Sequence, residues 1–339
     1  MTANASTRKS AIFTNMDLMA AGMYGGGRRE RIAEITELYP EVINDTNFDQ
    51  HASAMADIEV FFAAWGLPEL GPERLEQLPN LKLVLYGGGS VKAFAPALFE
   101  RGIQVAGGWG ENAVAVAEYL LGTLLLGNKG FFHAEPRREK VGGHVWTAGI
   151  GNFERTVGLL GMGKVGRHLR ELLRSFALEV LVYDPYLDDD TAKALDVESV
   201  ALEELFDRSV YVCNQIPQLP DTKDLISGDL LCRLQEDATF ANVANGHSLA
   251  WKDLYGVFSE RAELTGIFDT IEGAYVTMPG EEVKALLDLP NVWTSPHIAG
   301  AFGWERRRMA DALIDDFLRW EAGKPMQNEV TADMLPQLA

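Results

Sequence analysis

Ten short apolar, β-branched runs, separated by longer charged or amphipathic segments, constrain this chain more than any other feature. Four lie in the first third, at Ala11–Thr14, Ile58–Trp65, Leu81–Gly87 and Ile103–Gly107. Six follow, at Thr156–Gly161, Glu179–Asp184, Val210–Ile216, Ala238–Ala244, Leu264–Asp269 and Asn291–Pro296. Alternation of such runs with helical patterns favours parallel strands whose crossover helices cover both sheet faces. Two sets imply two doubly wound α/β domains, which the length of 339 residues accommodates.

Two longer helical patterns link the sets. One runs from about Asn112, a good N-cap residue, to Gly127 and is apolar on nearly every face, so it should be buried between layers. The other runs from about Trp304 to Ala322. Its Met309, Leu313, Phe317 and Trp320 form one stripe, and Gly323 and Pro325 end it. This helix follows the last strand of the second set and could return the chain to the first domain.

Composition narrows the function classes. The net charge of −19 repels phosphates and argues against nucleic-acid or anionic-membrane partners. Two cysteines, Cys213 and Cys232, make neither a disulfide framework nor a metal-ligand spacing, so no metal is expected and a reducing cytoplasm is the default compartment. The N-terminal stretch has no apolar signal core, and the most apolar run, 113–127, is too short for a membrane span and contains Glu118.

Residues 157–169 read VGLLGMGKVGRHL. Gly161-x-Gly163-x-x-Gly166 follows a strand and opens a helix, and Asp184 comes eighteen residues past Gly166 at the end of the next strand. Gly161 permits a tight turn, Gly163 admits a pyrophosphate close to the backbone, and Gly166 lets helix pack on strand. Free N–H groups and the positive end of the helix, at Met162, Lys164 and Val165, face the phosphates. Asp184 suits ribose hydroxyls and would repel a 2′-phosphate, and Pro185 and Tyr186 beside it supply no cation. NAD is therefore the expected cofactor.

The motifs in order resemble the D-isomer-specific 2-hydroxyacid dehydrogenases over roughly residues 80–330. LKLVLYGGGSVKAF is similar to that family's glycine-rich substrate loop, and GLLGMGKVG…VYDP to its NAD motif. IPQLPDTKDLIS resembles its Pro-x-x-x-x-Thr segment, LTGIFDTIE its Gly-x-x-Leu-Asp-Val-x-Glu segment, and TSPHIAG the segment with its catalytic histidine. The resemblance implies an NAD-binding Rossmann domain, 112–301, inserted in a split substrate domain, 1–111 plus 302–339, and a homodimer formed through the NAD domains. It implies substrate contacts at Gly87, Gly88 and Gly89. It implies cofactor contacts at Pro217, Thr222, Val243 and Ala244, with Asp269 holding the nicotinamide carboxamide.

His297 matches the family's acid/base histidine, and such a residue suits the proton movement that accompanies hydride transfer at an alcohol carbon. Residues 241–249, ANVANGHSL, sit where relatives carry Asn-x-x-Arg-Gly. Asn245 stands in place of the arginine that grips the substrate carboxylate, and an amide offers neither charge nor a five-donor fork. The family's glutamate, five positions past its aspartate, falls on Ala274. Glu272, Glu281 and Glu282 are the acids nearby that could replace it.

Lys92, Arg28 and Arg29 could act as substitute cations or simply be solvated charges. His247 is a further polar group two residues past Asn245. Trp109 could line a cleft or sit in a core. His133, His144 and His168 lack any motif context. The favoured expectation is an NAD-dependent oxidoreductase whose substrate is a hydroxy or keto compound other than a standard 2-hydroxy acid. The alternatives are an ordinary 2-keto acid reductase using a substitute cation such as Lys92, and a non-catalytic NAD-binding regulator.

Overall fold

The computed structural model describes residues 8–132 and 149–338. His133 and His144 lie outside them. The chain divides into two compact units, Met1–Asn112 with Ala301–Ala339, and Ala113–Gly300. All ten expected runs form strands.

The first unit holds β1 (Lys9–Phe13), β2 (Glu37–Ile43), β3 (Val60–Ala64), β4 (Leu83–Gly87) and β5 (Gln104–Gly107). The second holds β6 (Arg155–Leu160), β7 (Leu178–Tyr183), β8 (Glu198–Ser199), β9 (Tyr211–Asn214), β10 (Thr239–Asn242), β11 (Thr265–Phe268) and β12 (Val292–Thr294). A last strand, β13 (Glu329–Val330), belongs to the first unit. The sheet orders are β13-β5-β4-β3-β1-β2 and β12-β11-β10-β9-β6-β7-β8. Every pairing is parallel except β13 with β5.

Three strands were not legible as apolar runs. β2 is a sheet edge, carries Pro40 and two glutamates, and is largely exposed; an edge tolerates proline because one side of the strand needs no donor. β8 and β13 are two residues each, too short to show any period.

In the second unit, alternate residues along each strand enter opposite layers. Leu160, Val212, Phe240 and Phe268 pack on one face with Trp251, Leu254 and Phe258. Leu159, Tyr211, Ala241 and Ile267 pack on the other with Leu120 and Leu124 of helix Trp109–Asn128. The first unit is cored by Phe13, Phe48 and Phe61, with Phe13 and Phe61 stacked at 4.5 Å.

Helix Trp109–Asn128 begins three residues before the expected N-cap. Asn112 lies in its first turn, and its Oδ1 accepts from the Ala301 N–H at 2.7 Å instead. Trp109 packs against the core of the first unit. Helix Arg306–Glu321 buries Met309, Leu313 and Phe317 of the expected stripe. It also buries Asp316, whose carboxylate accepts from the N–H groups of Gln327 and Asn328 and from Asn328 Nδ2. Among the described residues no helix is long and apolar enough to cross a membrane.

Helix Trp251–Glu260 starts at Ala250, which offers no side-chain cap. Ala250→Ser supplies a hydroxyl for a first-turn N–H without changing net charge. It should raise unfolding stability by about 1 kcal/mol in a urea titration; no gain would mean that this helix end is already satisfied.

Candidate active site

In the second unit the strand register aligns one row of carboxyl ends. Leu160 pairs Tyr183 and Asn214, Asn214 pairs Asn242, Asn242 pairs Phe268, and Phe268 pairs Thr294. The loops leaving these residues carry nearly every site residue singled out in this unit. Open α/β sheets bind their ligands at that edge.

The dinucleotide turn has the geometry its glycines imply. Gly161 adopts φ +96°. A Cβ on Gly166 would lie 2.5 Å from the Gly161 carbonyl oxygen, whereas the space around a Cβ on Gly163 is open. Gly163 caps helix Lys164–Leu173, and Lys164 and Val165 open it. The Asp184 carboxylate accepts from the Met162 N–H at 2.7 Å and the Tyr186 N–H at 2.9 Å, joining the two loops that would frame an adenosine ribose. Pro185 is exposed beside it. A cramped Gly161–Gly166 contact beside an open Gly163 fits a pyrophosphate laid along the backbone.

Below the neutral loop lies a buried polar network. Asn214 Nδ2 donates to Asn242 Oδ1 at 2.7 Å and to Ser248 Oγ at 2.8 Å. Asn242 Nδ2 donates to the Ala244 carbonyl at 3.0 Å, and Thr270 Oγ1 donates to that same carbonyl. The Val243 N–H donates to the Asn214 carbonyl at 3.1 Å. Gly246 takes φ +60°, and Trp251 Nε1 donates to its carbonyl at 2.7 Å. The loop is thus locked from beneath, and Asn245 stands exposed at its crest.

A neighbouring segment laces onto this loop. Thr222 Oγ1 donates to the Pro217 carbonyl at 2.8 Å, closing the Pro217–Thr222 turn on itself. The Asp224 N–H donates to the His247 carbonyl, and the Ile226 N–H to Ser248. His247 Nε2 reaches the Leu219 carbonyl at 3.0 Å.

His297 sits in the left-handed region at φ +55°. Its N–H is shared between the carbonyls of Asp269 and Ser295, both at 2.9 Å. Its Nδ1 lies 3.0 Å from Glu272 Oε1. A carboxylate can only accept, so Nδ1–H donates and Nε2 is left for a ligand. The pair is 59% and 65% exposed. Of the three acids left open by the sequence, Glu272 alone makes this contact. Glu281 and Glu282 lie exposed in the first turn of helix Gly280–Leu287, and Ala274 is buried in the core.

Asp269 is 2% exposed. Its Oδ1 accepts from Ser295 Oγ at 2.6 Å and the Ile298 N–H at 2.8 Å, and its Oδ2 accepts from the Ala299 N–H at 2.9 Å. A cavity of about 390 Å³ beside the His297–Glu272 pair is lined also by Asn245, His247, Lys223 and Asp224. Lys223 was not singled out in the sequence. Only its place one residue past Thr222, in the Pro-x-x-x-x-Thr segment, could have flagged it.

The other cations proposed from sequence lie in the first unit. Arg28 pairs with Asp311 and donates to the Arg307 carbonyl, and Arg29 donates to the Pro40 carbonyl. Lys92 is half-buried just past the glycine run. Gly87 ends β4, and a Cβ there would collide with Met23; Gly88 and Gly89 follow in a bend.

This unit is an α/β domain with a dinucleotide turn and the His297–Glu272 contact at the carboxyl edge of its sheet. Residues 128–299 match the model for the D-isomer specific 2-hydroxyacid dehydrogenase NAD binding domain. The chain belongs to that family, and by family it is an NAD-dependent oxidoreductase acting on CH–OH groups.

It is 27% identical over 269 residues to a glyoxylate reductase of Korarchaeum cryptofilum, covering 78% of this chain and 80% of the relative. It is 31% identical over 212 residues to the putative 2-hydroxyacid dehydrogenase YoaD of Bacillus subtilis, covering 60% of each chain. The crystal structure of a phosphoglycerate oxidoreductase from Rhizobium etli superposes with a TM-score of 0.75 at 19% identity, covering 96% of this chain and 98% of that one. At that identity the likeness speaks for the fold.

Gly166→Ala pushes a methyl into the Gly161 carbonyl and shifts the phosphate turn. NADH affinity measured by fluorescence titration should fall at least about tenfold, equivalent to ~1.4 kcal/mol. Unchanged affinity would separate this turn from the cofactor.

Proposed function

We propose that the protein moves a hydride between NAD and a small hydroxy or keto compound, with His297 as the acid/base. The observation that carries this reading is the 3.0 Å His297–Glu272 contact. A binding module without chemistry has no use for an oriented imidazole with one ring nitrogen left open. Bound NAD supplies the hydride acceptor or donor. Gly161 to Gly166 hold its pyrophosphate and Asp184 its ribose. In oxidation His297 Nε2 takes the hydroxyl proton as hydride leaves the same carbon, and in reduction it returns the proton to the carbonyl oxygen. Glu272 fixes the ring by accepting from Nδ1–H, which leaves Nε2 toward the substrate.

Asn245 gives the substrate oxygen a neutral donor. Charge-assisted bonds contribute about 1.5–3 kcal/mol, so relatives with arginine here gain a carboxylate grip that this chain lacks. An uncharged hydroxyketone, sugar derivative or polyol fits the site better than a simple 2-hydroxy acid. Lys223 favours a second reading, because it lines the same cavity as Asn245 and His297 and could bind a carboxylate in place of the arginine. The same proposal includes a homodimer through the NAD unit. Leu126, Phe131 and Phe153 are exposed, and the N–H groups of Ile150 and Gly151 tie their segment to the end of the Leu126 helix. Light scattering should give twice the monomer mass.

A carbonyl panel with NADH tests the substrate reading. Neutral carbonyls should exceed keto acids in kcat/KM, and Asn245→Arg should raise keto-acid reduction by at least about tenfold, the scale of one charge-assisted bond. A wild-type preference for keto acids that Lys223→Ala removes would establish the second reading instead. Glu272→Gln tests the mechanism. An amide can turn its own N–H to Nδ1 and leave the ring in the wrong tautomer, so kcat should fall about tenfold or more while NADH affinity stays unchanged. An unchanged kcat would remove Glu272 from the mechanism.

A further inference from the structure

The turn that carries His297 is built around one buried carboxylate. Asp269 leaves the end of β11, and its two carboxylate oxygens take three donors, all from residues 295–299. Its backbone carbonyl takes the His297 N–H as well. His297 is not glycine, yet it holds φ +55°. A non-glycine residue persists there only where its surroundings over-determine it.

The chain of hydrogen bonds continues past Ser295. Ser295 Oγ gives its single proton to the Asp269 carboxylate, so at its 2.6 Å contact with Tyr119 the phenol must be the donor. Burial pushes the Tyr119 phenol up, the Ser295 hydroxyl partly opposing and the Asp269 charge adding. Tyr119 thus keeps its proton through neutral and mildly basic pH. The direction Tyr119 O–H to Ser295 O–H to Asp269 carboxylate is therefore fixed. It runs from the middle of helix Trp109–Asn128 into the turn bearing His297.

We propose that Tyr119 and Ser295, acting through Asp269, are positioning residues that hold His297 in its left-handed conformation with Nδ1 against Glu272. In this assignment Asp269 serves the histidine turn in addition to the nicotinamide contact that the family resemblance implies for it. Removing the Tyr119 hydroxyl frees Ser295 to turn away. Removing the Ser295 hydroxyl leaves Asp269 Oδ1 short of a donor, and the 295–299 turn relaxes.

The inference rests on the reading of His297 as acid/base, so its test includes two measurements that need no turnover. On the full-length protein saturated with NADH, the ¹⁵N signal of His297 Nδ1 reports the hydrogen bond to Glu272, and fluorescence gives NADH affinity. Tyr119→Phe should lower kcat about fivefold and Ser295→Ala about tenfold or more, with the KM for NADH unchanged, as expected of lost positioning. Both should weaken the Nδ1 hydrogen-bond signature, and Ser295→Thr should restore it. NADH affinity should stay within twofold throughout. The inference is overturned if Ser295→Ala weakens NADH binding tenfold while the His297 signal stays as in wild type, which would place the effect of Ser295 on the cofactor and not on the histidine turn. It is equally overturned if neither substitution changes the signal. Should the wild type reduce no carbonyl compound, the proposed reaction fails, while signal and affinity still decide the positioning role.

Discussion

The buried carboxylate of Asp269 is the interaction on which the candidate site depends. Taking a carboxylate out of water costs several kcal/mol unless its lone pairs are met. Here they are met by one hydroxyl and two backbone N–H groups from a single five-residue stretch. That demand bends the chain after β12 into one shape, and the shape presents His297 to Glu272. The His297–Glu272 pair itself is exposed, and the turn that carries it is held from below. The Asn214–Asn242–Ser248–Thr270 network does the same for the loop bearing Asn245.

This division explains how a neutral loop sits in a strongly acidic chain. Polar groups without charge can be buried cheaply once they are hydrogen-bonded, and amides and hydroxyls serve each other as donor and acceptor. Asn214, Asn242, Ser248 and Thr270 form such a set, all nearly inaccessible to solvent. Asn245 at the crest is exposed and takes no part in that network, so a substitution there need not unsettle the loop. Gly246 behind it must stay glycine, because it combines a positive φ with the Trp251 ring, 2.9 Å from where a Cβ would be.

Much of this architecture was legible in the amino-acid sequence, because the forces that set it are local. Apolar runs with helical spacers specified ten strands, and Gly161, Gly163, Gly166 and Asp184 specified the nucleotide turn. What was not legible depends on contacts between distant residues. The choice of Glu272 over Glu281 and Glu282 follows from where helix Glu272–Thr277 starts relative to the 295–299 turn, which no spacing rule encodes. Lys223 looked like any surface lysine until its segment was seen laced to His247 and Ser248. Tyr119 reads as one more apolar position in a buried helix, and only the fold puts its hydroxyl on Ser295. Arg28 and Arg29 looked like candidate ligands because the sequence hides their partners, Asp311 and the Pro40 carbonyl.

The most direct test of the central claim, hydride transfer with proton movement at His297, is isotope transfer from cofactor to product. The protein is incubated with NADH deuterated at the transferring position and a panel of keto acids, hydroxyketones and aldehydes, and the alcohols are read by mass spectrometry. At least one compound should acquire a single deuterium, and His297→Ala should slow this by about 100-fold or more, as loss of a general acid does. Undiminished transfer in His297→Ala, or tight NADH binding with no transfer to any compound, would contradict the account.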